Sequence, residues 1–193
     1  MKVLERLIEV RWHGRGGQGA KTGAQILAEV FFEQGYHIQA FPEYGAERSG
    51  APMKAFDRLS KVEILLHCQV ENPDIVVVID PTLLTAVNVA EGLKEDGVLL
   101  VNTTLTPADV KRKLGLKSQK VYVVDATKIA LEEMKVNFPN TPILGALAKI
   151  IGEVPLRSFE EHFRSKFEGR LTPERVEANL RAMRRGYEEV QGE

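Results

Sequence analysis

Apolar residues recur along this chain in two rhythms, and the switches between them mark out its elements. Residues 7–12 alternate apolar with charged positions and predict a first strand. Over 18–34, Ala20, Ala24, Leu27, Val30 and Phe31 return at helical spacing, and Gly35 closes that helix. Residues 36–41 predict a second strand and 52–59 a third, while 64–70 is ambiguous. Asp74-Ile75-Val76-Val77-Val78-Ile79-Asp80 is the clearest strand. Its unbroken β-branched run between Pro73 and Pro81 predicts burial on both faces, as in a parallel sheet. A helix over 83–93, a strand over 98–102, a short helix from Pro107 to about Gly115 and a last strand over 121–124 follow.

After Asp125 the strand signal stops, and helices are expected over 128–134, 142–151, 155–167 and 173–190. Leu156, Phe159, Phe163 and Phe167 form one apolar stripe; Val176, Leu180, Met183 and Tyr187 form another. Alternating strands and helices predict an α/β fold, a Rossmann-like open and mostly parallel sheet with helices on both faces. The expectation is a single domain over 1–193, with a core to about residue 152 and a C-terminal helical extension over 153–193.

Composition narrows the function. The 193 residues are 44% hydrophobic and 27% charged, with net charge -1, which gives no reason to expect nucleic acid or an anionic membrane as partner. No apolar run approaches the roughly 20 residues of a spanning helix, and the charged N-terminus is unlike a signal peptide, so a soluble, cytoplasmic protein is expected. The single cysteine, Cys68, excludes an internal disulfide and any iron–sulfur cluster held wholly by this chain's thiolates.

Two stretches carry candidate chemistry. Gly14-Arg15-Gly16-Gly17-Gln18-Gly19 satisfies G-x-G-x-x-G between a predicted strand and a predicted helix, the context of a dinucleotide-phosphate turn. Glu43, at the end of the second strand, stands where a ribose-binding acid would. Against this, the chain after Glu43 predicts a turn and a returning strand instead of a helix. The glycines also have a scaffold reading, in which they only allow close packing of helix on sheet. The second stretch is Phe41-Pro42-Glu43-Tyr44-Gly45-Ala46-Glu47-Arg48-Ser49-Gly50-Ala51-Pro52. Its carboxylates Glu43 and Glu47 could divide acid and base roles. Alternatively Arg48 pairs with one of them and Tyr44 packs at an interface, where tyrosine and arginine are enriched.

Other residues have structural readings that outweigh their chemical ones. His13 suits hydrogen bonding within the turn, and His67 beside Cys68 lacks the further ligands a zinc site needs, so a buried, inert Cys68 is expected. Asp80 and Asn102-Thr103-Thr104 sit at strand carboxyl ends, where open α/β sheets bind ligands, yet Asp80, Thr82 and Thr106 are also placed to cap helices. No catalytic or metal-ligating residue is assigned.

The segments 11–20, 41–56 and 72–84 resemble the gamma subunit of 2-oxoacid:ferredoxin oxidoreductases. The resemblance implies an accessory subunit, assembled with alpha, beta and delta subunits, of an enzyme that decarboxylates pyruvate or a related 2-oxoacid. That holoenzyme would use thiamine diphosphate, Mg and [4Fe-4S] clusters on partner chains, take coenzyme A as substrate and pass electrons to ferredoxin. It also implies that Glu43, Tyr44, Glu47 and Arg48 face other subunits and shape coenzyme A access. The alternative from the residues alone is a stand-alone Rossmann-type nucleotide-binding enzyme.

Overall fold

A computed structural model describes residues 7–43 and 50–192. The elements are β1 (Ile8–Arg15), α1 (Ala20–Glu33), β2 (His37–Glu43), β3 (Pro52–Ser60), β4 (Ile75–Val78), α2 (Leu83–Ala86), β5 (Val98–Asn102), α3 (Pro107–Leu114), β6 (Lys120–Val124), α4 (Ala126–Met134), α5 (Asn140–Ile151), α6 (Leu156–Phe167), α7 (Pro173–Glu189) and β7 (Gln191–Gly192). The strands make one sheet in the order β2-β3-β1-β4-β5-β6-β7. β1, β2, β4, β5 and β6 share a direction, and β3 and β7 oppose it, so the sheet is mostly parallel as the sequence predicts.

Side-chain alternation sorts the strands onto two faces. Val10, Trp12, Ala55, Leu59, Val77 and Leu100 join one core under α1 and α4 to α7. Val76, Val78, Leu99, Val101, Val121 and Val123 join another under α2 and α3. Helices therefore cover both faces. The register explains the split: Trp12 sits opposite Ala55 and Val77, and Arg11, one residue earlier, opposite Phe56 and Val76.

α6 and α7 pack within the first core, where Phe159, Leu180 and Met183 are fully buried. α5 and α7 approach at backbone distance because two glycines face each other's helix. A Cβ on Gly145 would stand 1.9 Å from the Met183 carbonyl oxygen, and one on Gly186 1.9 Å from that of Pro142. Beyond α7, Gln191 pairs with Val123, and Gly192 lies beneath Tyr122. The expectation that strands end at Asp125 thus fails at one short edge strand, too brief to show a period.

A second departure is α2. A helix was expected over 83–93, but it ends at Ala86, with Val87 extended. The cause is tertiary: the carbonyls of Val89 and Glu91 turn inward and accept hydrogen bonds from the buried Arg11 guanidinium. A helix continuing to 93 would have bent those carbonyls along its own axis.

Caps follow the sequence reading more closely. Thr106, Asp125 and Thr172 each accept from the backbone N–H three residues on, and Pro107 and Pro173 open their helices.

Candidate functional site

The glycine-rich turn lies at the carboxyl end of β1, beside the end of β4, where the chain's connections leave the sheet in opposite directions. Open α/β sheets bind ligands at such a point. Gly19 is left-handed, with φ 83°, and begins α1 without a side-chain cap. Gln18 fastens the turn: its Oε1 accepts from the Arg15 N–H at 2.8 Å, and its Nε2 donates to Asp80 Oδ2 at 2.7 Å. Arg15 Nε lies 3.2 Å from the same carboxylate oxygen.

Asp80 is the hub. Its Oδ1 accepts from the Thr82 backbone N–H at 2.9 Å and from the Thr82 hydroxyl at 2.6 Å. Burial works to raise its pKa, but these hydrogen bonds, that from Gln18 and the nearby Arg15 hold it below the usual carboxylate range. Asp80 thus closes a turn onto Thr82, the residue before α2, with the glycine turn attached to it; α2 itself has no side-chain cap, against the capping expected of Asp80 or Thr82.

The turn also holds the near edge of the charged segment. Arg15 Nη1 donates to the Gly50 carbonyl at 3.0 Å, and the Gly16 N–H to that of Ala51 at 3.2 Å. The two stretches singled out in the sequence are thus joined at Arg15, Gly16, Gly50 and Ala51. Tyr44, Glu47 and Arg48 lie outside the described residues. Glu43 ends β2, with its Oε2 3.9 Å from Lys54 Nζ. By register Glu43 follows Gln39 and Phe41 on the α2 side of the sheet, away from α1. The turn and the acid of the dinucleotide reading therefore lie on opposite faces, and a carboxylate, Asp80, stands beside the turn. A bound phosphate would meet that negative charge.

Behind Glu43 lies a buried polar layer that the sequence did not reveal as one. Arg58, fully buried, donates to Glu9 Oε1 at 2.9 Å, to Gln39 Oε1 at 3.2 Å and to the Gln69 carbonyl at 3.2 Å, and lies 3.7 Å from Cys68 Sγ. Arg11 Nε donates to His13 Nε2 at 3.0 Å. Burial first, then the Arg11 and Lys54 charges, lower the His13 pKa to about 3, so the ring is a neutral acceptor. Cys68, expected to be buried, is instead exposed beside the Arg58 guanidinium, and no metal-holding group of three or more His, Cys, Asp or Glu occurs among the described residues. Asn102 ties the end of β4 to α4, donating to the Ile79 carbonyl and to Thr127.

On the other side of the sheet, the glycine turn borders a cavity of about 1000 Å3 walled by α1, α5, the end of α6 and α7. Ile26, Met53, Phe163 and Phe167 supply apolar lining, and Asn140, Lys21 and Arg175 supply polar groups. Sequence reasoning found the turn but not this cavity. Its walls come from segments up to 160 residues apart, and Asn140 has no local feature beyond its place at a helix start.

Comparisons with known proteins extend over the same fold. The family described as Pyruvate ferredoxin/flavodoxin oxidoreductase matches residues 9–189. The chain is 53% identical over 190 residues to the pyruvate synthase subunit PorC of Thermotoga maritima, covering 98% of each. It is 49% identical over 185 residues to the pyruvate/ketoisovalerate oxidoreductases common subunit gamma of Pyrococcus furiosus, covering 96% of this chain and 98% of that one. The crystal structure of the Thermotoga maritima pyruvate oxidoreductase subunit superposes with a TM-score of 0.86 at 52% identity, over 97% of this chain and 98% of the other.

Proposed function

We propose that this chain, which belongs to the pyruvate ferredoxin/flavodoxin oxidoreductase family, serves as the accessory gamma subunit of a multi-subunit 2-oxoacid:ferredoxin oxidoreductase. The observation that carries this is end-to-end likeness: identity of about half over nearly the full length of two relatives. The holoenzyme would oxidatively decarboxylate pyruvate or a related 2-oxoacid, with coenzyme A, to an acyl-CoA, carbon dioxide and reduced ferredoxin in the cytoplasm. No described helix is long and apolar enough to cross a membrane.

The redox groups belong on alpha, beta and delta partners. One cysteine cannot supply the thiolates of a [4Fe-4S] cluster, and among the described residues no group of three or more His, Cys, Asp or Glu is placed to hold a metal ion. This chain's part is shape and docking. Glu43, Tyr44, Glu47 and Arg48 are the residues we assign to contact with partner subunits and to coenzyme A access; beside them in the chain, Gly50 and Ala51 are bonded to Arg15 and Gly16.

Reconstitution tests the assignment. The isolated chain should neither bind NAD or NADP nor oxidise an oxoacid, and activity should appear only with the partner subunits. In the assembled enzyme Arg48→Ala should raise the KM for coenzyme A several-fold; unchanged KM and unchanged assembly would remove that loop's role. Saturable dinucleotide binding by the isolated chain would instead favour the nucleotide-enzyme reading, which the separation of Glu43 from the glycine turn disfavours.

A further inference from the structure

We propose that the cavity beside the glycine turn is the receptor for an apolar, acidic segment of a partner subunit, a second docking point distinct from the 43–48 loop. The inference rests on the gamma-subunit reading only in requiring that partners exist.

Its polar groups point to a peptide. Asn140 is 8% exposed and lines the cavity, and among the described residues its carboxamide makes no hydrogen bond. Its adjacent donor and acceptor match the C=O and N–H of an extended backbone. The amide is held in place by close contact: a Cβ on Gly19 would fall 2.8 Å from Asn140 Cγ and Nδ2, so only glycine leaves it room there.

Charge sets the sign of the occupant. Among the described residues the cavity lining includes Lys21, Lys135 and Arg175 and no carboxylate. The Arg175 guanidinium has no partner among the described residues. The first turns of α1, α5 and α7 all contribute lining, and helix N-termini favour negative charge. Three N-termini together with the Arg175 guanidinium would receive a carboxylate, on a side chain or at a chain end.

Shape favours a polypeptide over a small molecule. The apolar lining runs out of the cavity onto Val136 and Phe138, 44% and 48% exposed, so an occupant that covers it must extend across the surface. Met53 and Met134 line the wall, and methionine adapts to varied side chains.

The test uses the assembled holoenzyme with Thr22, an exposed lining residue, replaced by the photo-crosslinking amino acid p-benzoylphenylalanine. Irradiation should join this chain to another subunit, at a segment that mass spectrometry shows to carry apolar residues and a carboxylate. In parallel, Arg175→Glu should weaken assembly at least tenfold and Arg175→Lys much less, with Asn140→Leu weakening it through the lost amide. A complex that assembles and turns over normally yet gives no inter-subunit adduct overturns the docking site and leaves the subunit assignment intact. An adduct to a basic segment or to a small molecule, or wild-type assembly of Arg175→Glu, also overturns it. Failure of the unmodified chain to enter any complex overturns both.

Discussion

In β4, β5 and β6 both faces are apolar; in β1 and β3 only one is. Val76, Leu99, Val101, Val121 and Val123 turn one way and Ile75, Val77, Leu100 and Val124 the other, each side under helices. Across β1 and β3, Val10, Trp12, Ala55 and Leu59 lie under α1, but the reverse face carries Glu9, Arg11, His13, Lys54 and Arg58 around one buried aromatic, Phe56. Among the described residues, that charged face meets loops where the other face meets helices. Loop carbonyls from Val89, Glu91 and Gln69 satisfy its guanidinium groups instead. The parallel half is held by area removed from water, which is non-directional. The antiparallel half depends on matched hydrogen bonds, which are directional and costly to break singly. A scaffold of the first kind tolerates substitution; one of the second kind fixes the loops that carry Val89, Glu91 and Gln69, and Glu43 ends a strand of that half.

The sharpest way to break this contrast is to remove one member of the charged face. Arg58→Ala leaves Glu9 without its ion-pair partner and should cost about 3–5 kcal/mol, read as a fall in midpoint by denaturant unfolding. The double variant Glu9→Met with Arg58→Met should recover most of that loss. If the single variant is as stable as the parent, the face is not held by pairing. In the parallel half, Val101→Ala removes only buried methyl groups and should cost about 2 kcal/mol, with no partner change able to rescue it.

Acid should strike the charged face first. His13 is lowered from 6.5 to about 3, so between those values the unfolded chain binds a proton that the native one does not. Stability should therefore fall with falling pH through that window, by about 1.4 kcal/mol per pH unit from this residue. His13→Gln should flatten that slope, and an unchanged slope would mean the imidazole is not held neutral.

Asp57 gives the smallest effect and the opposite sign. It is fully buried on the apolar face, accepts from Trp12 Nε1 at 2.7 Å, and leaves Oδ1 unpartnered. Burial raises its pKa well above 3.8, only partly offset by the Trp12 hydrogen bond, so the native carboxyl stays protonated where the unfolded one ionises. Its contribution to stability is full below the ordinary carboxylate range and declines as pH rises. Asp57→Asn should stabilise by about 1 kcal/mol near pH 7, in the range of a typical single substitution, and the gain should vanish near pH 3. A variant less stable at pH 7 would show that the carboxyl has a role an amide cannot fill.

Periodicity was enough to place most elements, because the Val-rich run at 75–78 and the spacing of Leu27, Val30 and Phe31 carry their period locally. It failed where distant groups decided. The helix expected over 83–93 stops at Ala86 because Arg11 takes the Val89 and Glu91 carbonyls. The edge strand at Gln191 exists because α7 returns the chain to β6. At the site, Gly14 to Gly19 were visible as a motif, yet the motif could not show that Glu43 lies on the other face.

What the amino-acid order determined by itself was local: which stretches alternate, which turn at Gly35 and Gly115, and which begin at Pro107 and Pro173. It also limited the redox chemistry, since one cysteine is a number that folding does not change. The tertiary structure alone decided which polar residues became neighbours. Arg58 and Glu9 are 49 positions apart, and the cavity joins Gly19 with Asn140 and Arg175. Such pairings depend on strand register and helix approach, and those are set by packing the whole sheet at once, a quantity no local window of sequence contains.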